Sequence, residues 1–324
     1  MGEVTCELCP RGCVIPEGAA GDCRVRVNLD GKLRCVTYGF PSAVHVDPVE
    51  KKPLYHFLPG SAIFSIATVG CNLHCKNCQN WEISQADPVD ASASALPPEQ
   101  LVAAARRYGC RSIAYTYTDP IVYYEYTLAG SRRAREAGLR NALVTAGYIN
   151  DAPLRELCAS VDAANIDLKS MEDAFYRDVC GGTLKPVLNT LVTAKSLGVM
   201  VEVTNLLISN LNDSDAQIRK LCAWLKANLG AETPLHFSRF FPHYRMRHVP
   251  PTPAATLRRA RDIAASEGLE HVYVGNILMD TGSDTRCPSC GRTLIRRTGY
   301  RILANDLAGG HCPDCGKEVY GTWQ

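Results

Sequence analysis

Three thiols stand within eight residues in the stretch Thr68-Val-Gly-Cys71-Asn-Leu-His-Cys75-Lys-Asn-Cys78-Gln-Asn80, directly after an apolar run. Three thiols make an incomplete metal site. A structural zinc takes four protein ligands, and an iron–sulfur cubane conventionally takes four Cys. A cubane held by this loop would keep its fourth iron open, free to bind a small molecule and pass electrons into it. Openness of that kind serves catalysis rather than structure.

Two further Cys sets flank the loop. Cys6, Cys9, Cys13 and Cys23 lie on a Gly- and Pro-rich N-terminal stretch and suit a tetrahedral metal. A closed zinc site is the first reading. An auxiliary iron–sulfur centre, with Cys23 or Cys35 completing Cys6, Cys9 and Cys13, is the second. Near the other end, Cys287-Pro-Ser-Cys290-Gly and Cys312-Pro-Asp-Cys315-Gly are separated by 21 residues with room for a hairpin between them. Two knuckles, each closed by Gly, read as a zinc ribbon, with rubredoxin-like iron as the alternative. Cys110, Cys158, Cys180 and Cys222 stand alone and read as buried filler.

Sixteen Cys would suggest disulfides in a secreted chain, but the N-terminus lacks the apolar core of a signal peptide. Clustering at short spacing therefore favours metal. A net charge of +2 without runs of like charge leaves no electrostatic footprint for nucleic acid. No apolar run approaches the roughly 18 residues needed to span a bilayer. A soluble, cytoplasmic protein without a membrane partner is expected.

The elements that must position these groups follow from periodicity. A chain of 324 residues suits one barrel-sized domain with appendages. The expected division is a Cys-rich N-terminal module and lead-in over 1–60, a catalytic domain over 61–280, and a ribbon-like module over 281–324. Residues 62–69 read as a buried strand ending at Gly70, so the three-Cys loop hangs from a strand's C-terminal end. Further strands are expected at 112–117, 141–145, 163–168, 200–208, 235–240 and 271–275. Helices are expected at 96–108, 131–137, 188–197, 215–229 and 254–267. Such alternation argues an α/β fold with a parallel sheet, either doubly wound or a partial or full barrel. In each of these the active site lies at the strands' C-terminal ends, where Thr118, Asp119, Asp167, Lys169, Asn205, Ser238 and Arg239 collect. Tyr115, Tyr117, Tyr123, Tyr124 and Glu125 are candidates to shape a substrate space, although packing is the commoner role for any one tyrosine. His74 is expected to be exposed, and residues 36–60 carry no assignable chemistry.

With a three-Cys loop on the first strand and strand–helix units after it, the chain resembles radical S-adenosylmethionine (SAM) enzymes of the pyruvate formate-lyase activating-enzyme group. In particular it resembles the radical SAM component of the AmmeMemoRadiSam system, whose members share an N-terminal Cys-rich segment and a C-terminal knuckle pair. The resemblance covers nearly the whole chain and is most specific over Gly70 to Trp81. It implies a partial (β/α)6 TIM-like barrel in which Cys71, Cys75 and Cys78 hold a [4Fe–4S] cluster whose open iron chelates SAM. By the same resemblance Tyr117-Thr118-Asp119-Pro120 stands where the family places Gly-Gly-Glu-Pro, which holds the SAM amino group. Asp167-Leu-Lys169 matches the family's Asp-Leu-Lys near SAM or a cation. Thr204 and Asn205 open the segment that lines the ribose, and His236 falls where members contact adenine. The residue before the third Cys is aromatic in the family and Asn77 here, so adenine stacking would pass to Trp81, or the Asn77 amide would meet the base. The implied activity is reductive SAM cleavage to a 5′-deoxyadenosyl radical and hydrogen-atom abstraction, with flavodoxin or ferredoxin as electron donor and a protein among the candidate substrates. A glycyl-radical activase is the leading expectation, radical modification of a small molecule or macromolecule the second, and a non-catalytic metal-binding scaffold the rival.

Overall fold

The computed structural model describes residues 2–88, 94–277 and 282–324. At the N-terminus two short hairpins, β1 (Val4–Thr5) with β2 (Val14–Ile15) and β3 (Arg26–Leu29) with β4 (Lys32–Cys35), frame the first Cys set. The central sheet holds eight strands in sequence order: β5 (Ala43–Pro48), β6 (Ala62–Ala67), β7 (Ser112–Tyr115), β8 (Arg140–Thr145), β9 (Ala163–Asp167), β10 (Met200–Leu207), β11 (Leu235–Arg239) and β12 (Val272–Gly275). From β6 to β12 every neighbouring pair is parallel; β5 is antiparallel to β6. This edge strand comes from the stretch that the sequence left without a role.

Helices join the parallel strands: α1 (Trp81–Ser84) and α2 (Pro98–Arg107) before β7, α3 (Tyr124–Glu136) before β8, α4 (Asp151–Cys158) before β9, α5 (Asp173–Phe175) and α6 (Leu184–Ser196) before β10, α7 (Asp215–Leu229) before β11, and α8 (Ala254–Ser266) before β12. Pro98 sits in the first turn of α2, where a missing N–H costs nothing. Ser214 and Gln217 form a capping box that starts α7. α3 begins seven residues earlier than its periodicity suggests, because Tyr126 and Leu128 are buried on its core side.

The register separates the sheet's two faces. Phe64, Ile66, Ile113, Tyr115, Leu143, Ile166, Val203 and Phe237 point outward into the helices and form the main core. Each such buried side chain contributes roughly 1.5–3 kcal/mol. The inner face is different: Ala114, Ala142, Ala163 and Met200 pack against Val49, Leu54, Phe57 and Leu58, so residues 49–58 close the N-terminal end of the barrel. The sheet stays open between β5 and β12. That seam is bridged by Tyr55 and His56, which bond to Arg297, Tyr320 and Tyr273. Arg297 and Tyr320 belong to the C-terminal module, whose sheet is β13 (Thr285–Arg286), β14 (Thr293–Thr298) and β15 (Arg301–Asn305).

Candidate active site

The three-Cys loop leaves β6 through Gly70, whose φ of 91° lies in the left-handed region. A Cβ at that position would stand 2.6 Å from Val25 Cγ1 and 2.7 Å from the Cys23 carbonyl oxygen, so only glycine fits. The loop then lies along the π turn Tyr176–Cys180, with His74 N donating to Cys180 O at 2.9 Å and Lys76 N to Val179 O at 2.8 Å. Single-turn π segments of this kind recur at functional sites. His74 is tied down rather than free: its ring shares hydrogen bonds with Gln85 at 3.0 Å and Asp22 at 2.8 Å.

Cys71, Cys75 and Cys78 face one cleft of about 430 Å³, within the size range of small-molecule sites. Among the described residues, only Cys287, Cys290, Cys312 and Cys315 bring three or more ligand atoms within 4.8 Å of one another. The loop's sulfurs are therefore spread wider than a single ion requires. That spread suits a cubane, which places four irons between its thiolates. The three thiols also differ in acidity. A hydrogen bond from the Cys180 thiol, helped by the Lys169 ammonium and opposed by burial, brings Cys75 down to about 7. Burial pushes Cys71 and Cys78 up. Nothing in the local sequence marks Cys180, read as filler, as a partner of Cys75; the turn after α5 brings it there.

Asn77, Thr118, Asp119, Asp167, Lys169 and Thr204 all line this cleft, as the sequence proposes. Asp119 is buried, and both its oxygens accept: Ile121 N at 3.1 Å, Ala146 N at 2.9 Å and the Thr145 hydroxyl at 3.0 and 3.2 Å. Burial raises its pKa, against these donors and Lys169. Tyr117, where the resemblance implies a glycine, adopts φ of 62°, a conformation costing on the order of 1–3 kcal/mol outside glycine. Its hydroxyl on Asp47 at 2.5 Å and its carbonyl on Asn80 Nδ2 at 2.7 Å hold it there. Lys169 pairs with Asp167 at 2.8 Å. Burial works against the ammonium, but Asp167 and the Cys75 and Cys180 thiols keep it well above the usual lysine range. Asn77 Oδ1 and Thr204 Oγ1 are buried without hydrogen-bond partners, two orphaned acceptors in the walls of the cleft.

Asn205 and His236 do not reach the cleft. Asn205 donates to Leu168 O at 2.7 Å and ties β10 to the turn before Lys169. His236 pairs in register with Thr204 and shares a 2.6 Å hydrogen bond with Glu202. Its ring stacks on Tyr273 and meets Tyr55 edge-on. Trp81 is likewise engaged, stacked on Tyr244 at 5.2 Å. Of Tyr115, Tyr117, Tyr123 and Tyr124, Tyr117 alone lines the cleft. Tyr115 and Tyr123 are wholly buried, Tyr124 bonds to Glu156, and Glu125 forks onto Arg26.

The cleft also contains residues that sequence reasoning missed. Lys51, Lys52 and Pro53 approach from the barrel-closing segment, and Tyr300 from the turn between β14 and β15. Lys51 and Lys52 both bond to Asp47, at 2.8 and 2.7 Å. The C-terminal Cys set is compact: Cys287 and Cys315 sulfurs are 3.5 Å apart, and Cys290 and Cys312 sulfurs 3.7 Å. A tetrahedral site with metal–sulfur bonds of ~2.3 Å spaces its sulfurs by ~3.8 Å, so these thiols fit a single ion. Cys6, Cys9, Cys13 and Cys23 line a second, small cavity, and Cys35 does not.

A family model described as the radical SAM superfamily matches residues 65–225. A Methanocaldococcus jannaschii protein described as uncharacterized is 46% identical over 319 residues, covering 98% of this chain and 95% of that one. The pyruvate formate-lyase-activating enzyme of Clostridium pasteurianum is 25% identical over 166 residues, 48% of this chain and 66% of that enzyme. Among solved structures, a radical SAM methyltransferase from Sphaerobacter thermophilus superposes with TM-score 0.51 at 18% identity, covering 68% of each chain. Streptococcus suis SuiB bound to its precursor peptide SuiA gives 0.53 at 14% identity, covering 70% of this chain and 51% of that one. Among the described residues no helix is long and apolar enough to cross a membrane.

Proposed function

Since this chain belongs to the radical SAM superfamily, we propose that its cleft binds SAM against a [4Fe–4S] cluster held by Cys71, Cys75 and Cys78, and cleaves it reductively. A reduced cluster held by these three thiolates would supply one electron to the SAM sulfonium, the chemistry that gives methionine and a 5′-deoxyadenosyl radical able to abstract a hydrogen atom from substrate. The observation that carries this reading is the three-thiol loop itself, spread beyond single-ion spacing and opening on a ligand-sized cleft.

The remaining residues bind and orient. Asp119, fixed by Thr145 and Ala146, presents a carboxyl to the SAM amino group, and Asp167 with Lys169 offers one charge of each sign to the amino-acid end. Asn77 and Thr204 have unpartnered oxygens available to the nucleoside. His236 and Asn205 support these walls from behind. The Cys287–Cys315 set would hold zinc, and its two knuckles flank the hairpin whose turn brings Tyr300 to the cleft. A low-potential flavodoxin or ferredoxin is the electron donor.

Its Cys-rich ends support grouping the chain with the radical SAM component of the AmmeMemoRadiSam system, and a glycyl-radical activase is the leading reading of its function. A second reading, radical modification of a small molecule or another macromolecule, is favoured by Tyr300, which brings a separate module to the mouth of the cleft. Electron paramagnetic resonance (EPR) of the anaerobically reduced protein tests the open-iron site. Adding SAM is expected to change the cluster spectrum; an unchanged spectrum at saturating SAM would refute the site.

A further inference from the structure

We propose that Cys6, Cys9, Cys13 and Cys23 ligate a second iron–sulfur cluster, closed by four protein thiolates and lying beside the Cys71 loop. The chain carries its own reference for a single-ion site in Cys287, Cys290, Cys312 and Cys315, whose sulfurs all lie within 4.8 Å of one another. No three of the N-terminal sulfurs do so. These four thiols instead surround a cavity of about 20 Å³, room for a water-sized body. Thiolates at ~2.3 Å from one zinc would leave no such space, whereas a cubane fills the interval with irons and sulfides.

The setting suits a cluster. Cys9 sulfur accepts from the Arg11 backbone N–H and the Asn72 side chain, and Cys23 sulfur from the N–H groups of Val25 and Arg26. Donors of this kind to ligating sulfurs tune cluster potentials. The guanidinium groups of Arg11 and Arg26 border the same cavity. Cys35 is excluded, since its thiol faces Thr37 and the Val122 carbonyl instead.

The two Cys sets meet across Cys71. On one side Gly70 lies against the Cys23 carbonyl; on the other Asn72 reaches Cys9 and accepts from Arg11 Nε at 3.0 Å through its own carbonyl. With every iron ligated by protein, a cluster here exchanges electrons rather than binding substrate. It would take one electron from a low-potential donor and pass one to the Cys71 loop. That role rests on the function proposed above; the cluster itself does not.

The test uses the full chain with Cys71→Ala, Cys75→Ala and Cys78→Ala, isolated anaerobically and assayed for iron, acid-labile sulfide and zinc. About four irons and four sulfides per chain are expected to remain, with an EPR signal after dithionite reduction. Zinc at both terminal sets with no iron or sulfide would overturn the proposal, as would no metal at the N-terminal set. Adding Cys9→Ser and Cys13→Ser should remove that iron with an unchanged circular dichroism spectrum, and adding Cys35→Ser should not. Iron that persists in the first, or is lost in the second, would refute this ligand set. Failure of the wild-type chain to cleave SAM would leave the iron count untouched, so the two claims fail separately.

Discussion

His236→Leu separates a wall residue from a ligand contact. The His236 ring is buried between Tyr273, stacked at 5.0 Å, and Tyr55, edge-on at 4.9 Å. It shares a 2.6 Å hydrogen bond with Glu202, whose side chain is fully buried and whose other oxygen accepts from His56 N at 2.8 Å. Leaving one Glu202 oxygen without its partner costs ~1–3 kcal/mol, and each lost ring contact ~0.5–1.5 kcal/mol. The combined loss is about 4 kcal/mol. With a urea dependence of about 3 kcal/mol per molar, the unfolding midpoint should fall by about 1.3 M. The KM for SAM should stay within about twofold, because this ring is engaged by Glu202, Tyr273 and Tyr55 and does not line the cleft. Anaerobic urea unfolding followed by fluorescence, beside initial rates of SAM cleavage, reads both quantities. A tenfold rise in KM with an unmoved midpoint would show that His236 touches the nucleoside rather than supporting the wall.

Three further outcomes follow from the geometry. Asp47 is buried, yet Lys51, Lys52 and Tyr117 hold its pKa well below the usual range despite burial. A depressed folded pKa gives stability that is present above the unfolded value near 3.8 and is lost as pH falls through the folded one. Urea midpoints of wild type and Asp47→Asn should therefore differ at pH 7, and the gap should begin to shrink only below 3.8 and close only as pH falls through the depressed folded value; a gap constant with pH would contradict the pairing. Gly70→Ala places a methyl 2.6 Å from Val25 at positive φ, so a loss of at least ~2 kcal/mol and reduced iron loading are expected from denaturation and metal analysis. An unaffected variant would refute the close approach. Cys290→Ser with Cys315→Ser should release the C-terminal metal and free Tyr300 from the cleft. Substrate turnover should then fall while 5′-deoxyadenosine formation without substrate stays within about threefold, by liquid chromatography; an equal fall in both would argue against a substrate-side role.

Much of this site was legible in the sequence because its signals are local. The three-Cys loop and the residues Asp119, Asp167 and Thr204 are set by spacing and by the strand–helix alternation, and they line one cleft, while the knuckle pairs form a compact set of their own. What was not legible depends on register and on contacts distant in the chain. Strand-end position points His236 toward a ligand, but its hydrogen bond to Glu202 and its ring contacts with Tyr55 and Tyr273, which no local pattern announces, engage it outside the cleft lining. Cys180 meets Cys75 through a π turn that no periodicity announces, and Lys52 enters through a Pro-rich lead-in that reads as a connector. Tyr117 carries φ of 62° where glycine would be the expected signal, so Asp47 and Asn80, both outside its strand, do the holding.

The central claim is that the Cys71 loop turns SAM into a radical source. The direct measurement is 5′-deoxyadenosine and methionine released by the anaerobic, cluster-loaded chain with dithionite and SAM, beside the variant with Cys71, Cys75 and Cys78 all changed to Ala. Wild type is expected to form both products in equal amounts, and the variant neither. No 5′-deoxyadenosine from a wild-type chain with full iron and sulfide content, or equal amounts from the two, would contradict the account.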